Sequence, residues 1–268
     1  MDEANRLAEP ERTRALFPRE HGAYGQLLMP LATGLALGRP GAAALLIAYA
    51  FVVAFVAHES LLVLLGQRGR RALEGDGPVA RRVLAILGVQ ALGAGGAGLV
   101  LAPAAARWAV VAPAVLVAAV AWLVVTRREK TIAGEITVGA ALSSGGLVVA
   151  LASGASLRAS AAAWLTWVLA FAAATLAVQV VLERARSKGA RDPGLRHLAL
   201  VVALAASAFG AVPAAGLPLA AALALLPPAA LAAAVCAAHL SARRLREVGW
   251  AMMGASVVTL AVLVAGLR

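Results

Sequence analysis

The chain has 268 residues, of which 62% are hydrophobic and only 14% are charged. Ordinary water-soluble proteins are about half apolar and about a quarter charged, so this composition excludes a soluble globular domain and indicates a protein solvated by lipid. The net charge of +11 does not indicate a nucleic-acid partner, because the basic residues are segregated between loops in the pattern of a membrane protein.

Apolar runs predict nine membrane-spanning helices, since about 20 apolar residues cross the hydrocarbon layer. The predicted spans are Glu20–Gly38, Gly41–Gly66, Arg82–Ala102, Ala104–Thr126, Thr131–Ser153, Ala159–Leu182, His197–Ala215, Leu217–Leu240 and Val248–Leu267. Runs of Leu, Ala and Val without alternation predict helices rather than a barrel. Pro227 and Pro228 interrupt the eighth run, which leaves open its division into two short helices. The predicted fold is an all-α polytopic transmembrane helical bundle of about nine helices.

The basic residues predict how the bundle is oriented. Of the 24 Arg and Lys residues, 20 lie in the N-terminal tail and in the loops after spans two, four, six and eight. The four on the opposite side are Arg39, Arg107, Arg158 and Arg268. The positive-inside rule therefore predicts a multi-pass protein of the cell membrane with a cytoplasmic N-terminus and an external C-terminus. The external connections are too short to hold a site, so we expect the chemistry to face the cytoplasm.

Two further patterns predict the domain organisation. Residues 1–17 mix acidic and basic side chains without an apolar stretch, which predicts a cytoplasmic tail rather than a cleaved signal peptide. Residues 18–268 then form the transmembrane domain. Its inside loops Gln67–Arg81 and Glu183–Arg196 are of similar length and lie four helices apart. This recurrence predicts two four-helix halves of like orientation, followed by a ninth helix.

Ionisable residues within the spans mark the candidate site. Glu59 lies nine residues before Arg68, with His58 beside it, and so about 13 Å deeper along the helix. A carboxylate at that depth is costly without a partner, an ion or water. The interpretations are a structural ion pair near the helix end or a polar cavity. We favour the cavity, because an intramembrane ionisable residue indicates a functional site by default.

Helical spacing places further polar groups at the same depth. Residues four apart share a helix face, and three spans carry such rows. The rows are Glu20 with Tyr24, next to His21; Glu135, Gly139 and Ser143; and Thr175, Gln179 and Glu183. Small and polar rows also join helices by close packing, which is the interpretation we favour for Gly139 and Ser143. For the carboxylates we expect one polar pocket that faces the cytoplasm.

The first span carries a resemblance to a known family. Its segment Pro18–Leu27, with the sequence PREHGAYGQL, resembles the signature of the YwiC-like family of bacterial membrane proteins, over residues 14–267. The order of the inside loops is similar to that of the UbiA superfamily of intramembrane prenyltransferases. That second resemblance implies a UbiA-like arrangement of nine helices, two acidic motifs after helices two and six, and an isoprenoid or other lipid as substrate.

The acidic motifs depart from the prenyltransferase pattern. Those enzymes carry Asn-Asp followed by aspartates at steps of four and eight residues, where this chain has His58, Glu59, Leu62 and Gly66. In the second motif Glu183 matches the first acid, but Ser187 and Lys188 follow it. A magnesium diphosphate site uses several carboxylates. Either the chain is not a magnesium-dependent diphosphate enzyme, or basic residues hold the charge instead. The basic candidates are Arg68, Arg70, Arg71, Arg128, Lys130, Arg184, Arg186 and Lys188.

The cofactor is therefore left open by the sequence. Mixed imidazole and carboxylate groups suit zinc, iron or manganese, and His21, His58, Glu20, Glu59, Glu135 and Glu183 offer them. No ligand-spacing motif is present, and the single cysteine, Cys236, provides no metal motif either. A divalent metal stays an alternative, and ion-paired polar clusters without a metal are favoured.

The leading functional hypothesis is a UbiA-like transferase, or another enzyme, that acts on an isoprenoid or lipid from the bilayer. Its predicted catalytic residues, as general bases or ion ligands, are Glu59, His58, Glu183 and Glu135. Its predicted substrate-binding residues are Glu20, His21, Tyr24, Arg68, Arg128, Lys130, Gln179 and Arg184. The alternative is a transporter or a lipid-binding membrane protein without catalysis.

Overall fold

The computed structural model describes residues 21–186 and 192–268, and the regular structure of these residues is entirely helical. The helices are α1 (His21–Leu37), α2 (Ala42–Leu64), α3 (Arg70–Leu101), α4 (Ala104–Ala109), α5 (Val111–Val125), α6 (Ile132–Ala152), α7 (Leu157–Arg186), α8 (Gly194–Ala214), α9 (Leu219–Ala237), a 3₁₀ turn at Ala242–Arg244, and α10 (Leu245–Leu267).

The predicted polytopic bundle is confirmed. Within the described residues, eight helical segments are long and apolar enough to cross a membrane, with α4 and α5 counted as one and the 3₁₀ turn joined to α10. The helix α1 precedes them and has 17 residues, at the short end of the lengths that span a bilayer. The protein is therefore a multi-pass membrane protein, and these segments follow the predicted order of nine. The division into two four-helix halves stays a prediction.

Helix boundaries differ from the prediction where polar residues continue a helix. The helix α3 begins at Arg70 rather than Arg82, and its 32 residues extend over about 48 Å. The hydrocarbon core is about 30 Å thick, so the charged first turns of α3 extend beyond it. The fourth span is divided at Val110 into α4 and α5.

Pro227 and Pro228 do not divide the eighth span, since α9 is continuous from Leu219 to Ala237. A proline at position 228 removes the N–H that would bond to the carbonyl of Ala224. The hydroxyl of Thr259, on α10, donates to that carbonyl at 2.9 Å. One turn earlier the Thr166 hydroxyl of α7 donates to the Ala221 carbonyl at 3.0 Å. Of these two carbonyls, that of Ala224 is the one that Pro228 leaves without its helical donor in lipid, and Thr259 on the neighbouring helix satisfies it.

The core lies between α1, α6, α7 and α9. The helices α6 and α7 have many buried residues, whereas α3 and α5 have few. Trp167 of α7 is fully buried, stacks on Phe171 and donates from its indole N–H to the Thr33 hydroxyl of α1 at 3.1 Å. The α2–α3 hairpin, the α4–α5 segment, α8 and α10 surround this core.

Close packing joins α1 to α6. A Cβ added at Gly34 would lie 2.6 Å from the Gly146 carbonyl oxygen, and one added at Gly38 would overlap the backbone of Ser153. Only glycine allows backbones to approach so closely, which is how small residues join helices in membranes. The α1–α6 contact fixes α1, which includes the last seven residues of the PREHGAYGQL segment, at the centre of the bundle.

The two ends of the bundle differ in charge. Arg39 donates its backbone N–H to the Ser153 carbonyl, and Arg268 donates from Nε to the Ala36 carbonyl, so they share one end. Most other basic residues lie at the opposite end, here named the basic end. It comprises the helix ends at Leu64, Arg70, Val125, Ile132, Arg186, Gly194, Ala237 and Leu245. The positive-inside rule predicts that the basic end faces the cytoplasm.

Candidate functional site

The helix α2 carries Glu59 at the end of a row that faces the core. Phe51, Phe55 and Glu59 are four residues apart and therefore share one face of the helix. Phe51 lies 3.0 Å from where a Cβ at Gly145 of α6 would be, and Phe55 contacts Tyr24 of α1 edge to face, with ring centroids 5.1 Å apart. The row directs Glu59 toward the junction of α1, α2 and α6 near the basic end.

Glu59 is buried and ion-paired. Only 3% of the residue is exposed, and its two carboxylate oxygens accept hydrogen bonds of 2.6 Å from Nε and a terminal nitrogen of Arg68. Such a two-bond pair is the strong geometry for a guanidinium and a carboxylate. Next to Glu59, the buried Ser60 hydroxyl has no hydrogen-bond partner among the described residues.

A second polar contact joins α6 to α7. The Thr131 hydroxyl caps α6 by accepting from the Gly134 N–H at 3.1 Å, which places Glu135 in the first turn. A carboxylate is favourable there because the N-terminus of a helix carries partial positive charge. Gln179 of α7 donates from Nε2 to Glu135 at 2.9 Å, and Gln179 is itself buried.

The helix α1 contributes Tyr24 and Gln26 to the same region. The carboxamide of Gln26 lies 3.7 Å from where a Cβ at Gly139 would be, one turn along α6 from Glu135. Gly139 thus leaves room for a polar side chain of α1 between α6 and α7. The structure brings Gln26, Glu135 and Gln179 to one interface.

Glu59 and Glu135 lie at nearly the same depth. Glu59 is eight residues from Phe51 toward the basic end, which is about 12 Å, and Glu135 is ten residues from Gly145, which is about 15 Å. Since Phe51 and Gly145 are in contact, the two carboxylates differ by about 3 Å along the bundle axis.

Glu183 joins α7 to α8. Its carboxylate accepts bonds of 3.0 and 3.1 Å from Arg196, and its Oε1 lies 3.8 Å from Nε2 of His197. His197 is fully buried, and its Nδ1 lies 3.1 Å from the Pro193 carbonyl oxygen. The pair therefore anchors the start of α8 to the end of α7.

Arg184 ties α7 to the end of α9. It donates to the carbonyls of Cys236 at 2.8 Å and Ala238 at 2.5 Å, and through Nε to the Asp192 carboxylate at 2.7 Å. The last carbonyls of a helix lack partners within the helix, and a basic side chain is a common cap. The Arg184 hydrogen bond, with help from the Gly194 N–H and His239, lowers the pKa of Asp192 to about 2 against desolvation.

The predicted site residues are therefore distributed over several contacts. Gln179 meets Glu135, Glu59 meets Arg68, and Glu183 meets Arg196. Tyr24 contacts α2 through Phe55. In the described residues no group of three His, Cys, Asp or Glu side chains has the geometry of a metal site. His58, Arg128 and Lys130 lie at the basic end. The catalytic and substrate-binding roles of all the predicted site residues stay predictions. Glu20, the His21 side chain, Ser187 and Lys188 lie outside the described residues.

Two residues of this region escape sequence reasoning. Gln26 follows the first span's polar group, but nothing local shows that it faces a glycine of α6. His197 lies at the start of a predicted span, and nothing in the sequence shows that its side chain is fully buried. The sequence signal that was available is that Glu183 and His197 bound the same inside loop.

Comparison with known proteins supplies the family. No curated protein and no solved structure matches the chain, and the resemblance to the UbiA superfamily stays a prediction. The model of the family described as YwiC-like protein matches residues 17–150, half of the 268 residues. That stretch extends from the PREHGAYGQL segment to Ala150, near the end of α6, and includes Glu59 and Glu135. The chain belongs to the YwiC-like family.

Proposed function

We propose that the protein binds the polar headgroup of an amphipathic lipid or isoprenoid between α1, α2, α6 and α7 at the basic end. The observation that carries this proposal is the Glu59–Arg68 pair. The carboxylate is almost fully buried, while 41% of the Arg68 side chain is exposed at the helix end. Burying a carboxylate costs free energy, even next to a cation at the helix end, and an apolar bundle can form without it. Its presence supports a functional role.

The other predicted residues fit around this pair. Glu135 and its partner Gln179 lie at nearly the same depth as Glu59. The helix α1 contributes Tyr24 next to α2 and Gln26 next to α6. Arg128 and Lys130, in the short loop before α6, add positive charge for an anionic headgroup. Glu20 and His21 precede Tyr24 by four and three residues in the sequence. The acyl or isoprenoid chain would lie in lipid or between helices.

Chemistry at this site is the finer part of the proposal. As a UbiA-like transferase, or an enzyme with altered chemistry, the protein would use Glu59, His58, Glu135 or Glu183 as general base or ion ligand. A divalent metal would need oxygen ligands from several of these carboxylates. The basic residues would hold an anionic leaving group, with Arg68 nearest to Glu59.

Lipid binding without catalysis is the second candidate, and one observation favours it. Each predicted catalytic carboxylate is hydrogen-bonded to a partner: Arg68, Gln179 or Arg196. Arg184, predicted to bind substrate, contacts Asp192 and the end of α9 instead. Groups paired in this way can hold a headgroup without turning it over. A transporter fits less well, because close packing of α1 on α6 fills the bundle toward the end opposite the basic end.

Lipid retention tests the proposal. Protein purified in nanodiscs made from its own membranes should retain one lipid or isoprenoid class above its share of the bilayer. Glu59→Gln keeps the size of the side chain but removes the charge, and should lower that enrichment about tenfold or more. Glu74→Gln is the matched control, since Glu74 pairs with Arg70 on the exposed surface of α3. Mass spectrometry of the extracted lipids gives the readout.

The same preparations separate the two candidates. If the protein is an enzyme, incubation with extracted membrane lipids should yield a lipid of altered mass with wild type and Glu74→Gln but not with Glu59→Gln. Retention without any new mass identifies a binding protein. Equal lipid content in all three proteins would contradict both candidates.

A further inference from the structure

The packing of α6 on α7 places a hydroxyl at the level of Glu135. The two helices are antiparallel, and the Cβ of Phe171 on α7 lies 3.4 Å from where a Cβ at Gly139 of α6 would be. One turn from this contact toward the basic end, α6 carries Glu135 and α7 carries Thr175. Gln179, a further turn along the same face of α7, donates to Glu135. Thr175 therefore faces α6 between Phe171 and Gln179.

The face of α7 at this level is buried but not fully bonded. Thr175 is only 7% exposed, yet its hydroxyl has no hydrogen-bond partner among the described residues. Gln179 is 8% exposed and donates from its amide nitrogen to Glu135, while no described residue donates to its carbonyl oxygen. A buried polar group without a partner is costly. Two such oxygens one turn apart indicate a ligand that contacts both.

The helix α1 adds a third uncommitted polar group. The amide nitrogen of Gln26 lies 3.7 Å from where a Cβ at Gly139 would be, one turn deeper than Glu135. Its carboxamide makes no hydrogen bond within the described ranges 21–186 and 192–268. Rotation about the last bond of a carboxamide exchanges its oxygen and nitrogen, so Gln26 can present an oxygen to the same space.

Glu135 supplies one negative charge to this group of oxygens. It is half-buried, and within the described part of the chain its partner is the neutral amide of Gln179 rather than a cation. Glu59, by contrast, is neutralised by Arg68. The N-terminus of α6 offsets only part of the Glu135 charge. One carboxylate among neutral oxygens suits a singly charged cation, whereas a divalent ion in proteins usually takes several carboxylates.

We propose that Glu135, Gln179, Thr175 and Gln26 bind one monovalent cation between α1, α6 and α7. Carboxylate, carbonyl and hydroxyl oxygens are ligands of hard cations such as Na⁺. The ammonium of a lipid headgroup shares this chemistry, because it donates three hydrogen bonds to such acceptors. A free alkali ion needs no bound lipid, so this site can exist without the proposed lipid function. An ammonium source would rest on that function.

Thermal unfolding of delipidated protein in detergent tests the site. The chlorides of sodium, potassium and methylammonium are compared at equal ionic strength with choline chloride, a bulkier cation without N–H donors. A ligand that binds only the folded protein raises the unfolding temperature as its concentration increases. A rise with sodium or potassium identifies a free ion as the ligand, and a rise with methylammonium alone identifies an ammonium group. The same unfolding temperature in all four salts would overturn the proposal.

Two substitutions assign the temperature shift to these residues. Glu135→Gln keeps the size of the side chain but removes the charge, and should abolish the shift, whereas Glu74→Gln on the exposed surface should keep it. Thr175→Val removes the hydroxyl and should raise the half-saturating cation concentration about tenfold. Its control is Thr137→Val, since the Thr137 hydroxyl donates to the Ala133 carbonyl of its own helix. A shift unchanged in both Glu135→Gln and Thr175→Val, or equally reduced in the controls, would contradict the site.

Discussion

At the scale of single residues, arginines of the basic end have different structural roles. Arg68 pairs with a buried carboxylate inside the bundle, whereas Arg184 caps α9 and holds Asp192. The sequence contexts of the two arginines are alike, since each follows a long apolar run and lies in a predicted basic inside loop. The carbonyls that Arg184 meets belong to residues about 50 positions later, so sequence alone could not distinguish a capping arginine from a substrate-binding one.

The Arg184–Asp192 pair predicts a pH dependence of stability. The lowered pKa of Asp192, about 2 against an ordinary 3.8, favours the ionised carboxylate in the folded protein. Its contribution is therefore complete above the unfolded pKa and is lost as pH falls through about 2. Between pH 4 and pH 2, the unfolding temperature of wild type should fall more steeply than that of Asp192→Asn, as measured by thermal unfolding in detergent.

A matched control for that measurement is Asp76→Asn, which makes the same change in a carboxylate of α3 at the same end of the bundle. Its pH profile should follow wild type. Parallel profiles for Asp192→Asn and wild type would show that the Arg184 contact adds no pH-dependent stability.

At the scale of helices, the α1–α6 interface depends on missing side chains. Gly34→Ala adds a Cβ that would meet the Gly146 carbonyl at 2.6 Å and the Ala150 nitrogen at 3.0 Å, both of which are backbone atoms. Because backbone cannot move aside cheaply, we expect a loss of about 1–3 kcal/mol in the free energy of unfolding. Equilibrium unfolding in mixed micelles measures it.

Gly254→Ala is the control for the same change elsewhere. A Cβ at Gly254, in the middle of α10, meets nothing within 4 Å. Alanine is the better helix former, so stability should stay constant or rise by about 1 kcal/mol or less. An equal loss in both variants would show that glycine content, rather than the α1–α6 contact, governs stability.

Helix type was predictable and helix ends were less so. Apolar length alone located α2, α6 and α10 within a few residues. It missed the first turns of α3, because charged residues that extend beyond the membrane carry no apolar signal. It left undecided whether α9 is divided at its prolines, because the hydroxyl that replaces the missing N–H of Pro228 belongs to Thr259 on another helix. Tertiary hydrogen bonds decide such cases, and a single sequence does not display them.

At the scale of the whole molecule, charge and packing divide the bundle into unlike ends. Sequence predicted this polarity from the distribution of arginines, and it placed the polar rows of α1, α6 and α7 at one depth with Glu59 of α2. It could not predict which rows meet: Glu135 bonds to Gln179, while Glu59 bonds to Arg68 of its own hairpin. Nor could it show that α1 lies at the centre, because the glycines that allow this contact residues of α6 more than 100 positions away.

Site-specific photo-crosslinking tests whether a lipid headgroup binds at the basic end between α1, α2, α6 and α7. A benzophenone side chain replaces Phe55, which contacts Tyr24 near Glu59, or Phe209 of α8, which lies toward the opposite end. After irradiation in native membranes, the position 55 protein should carry one lipid or isoprenoid class far above its share of the bilayer, and the position 209 protein should carry bulk lipid. Bulk lipid at both positions would contradict headgroup binding at this site.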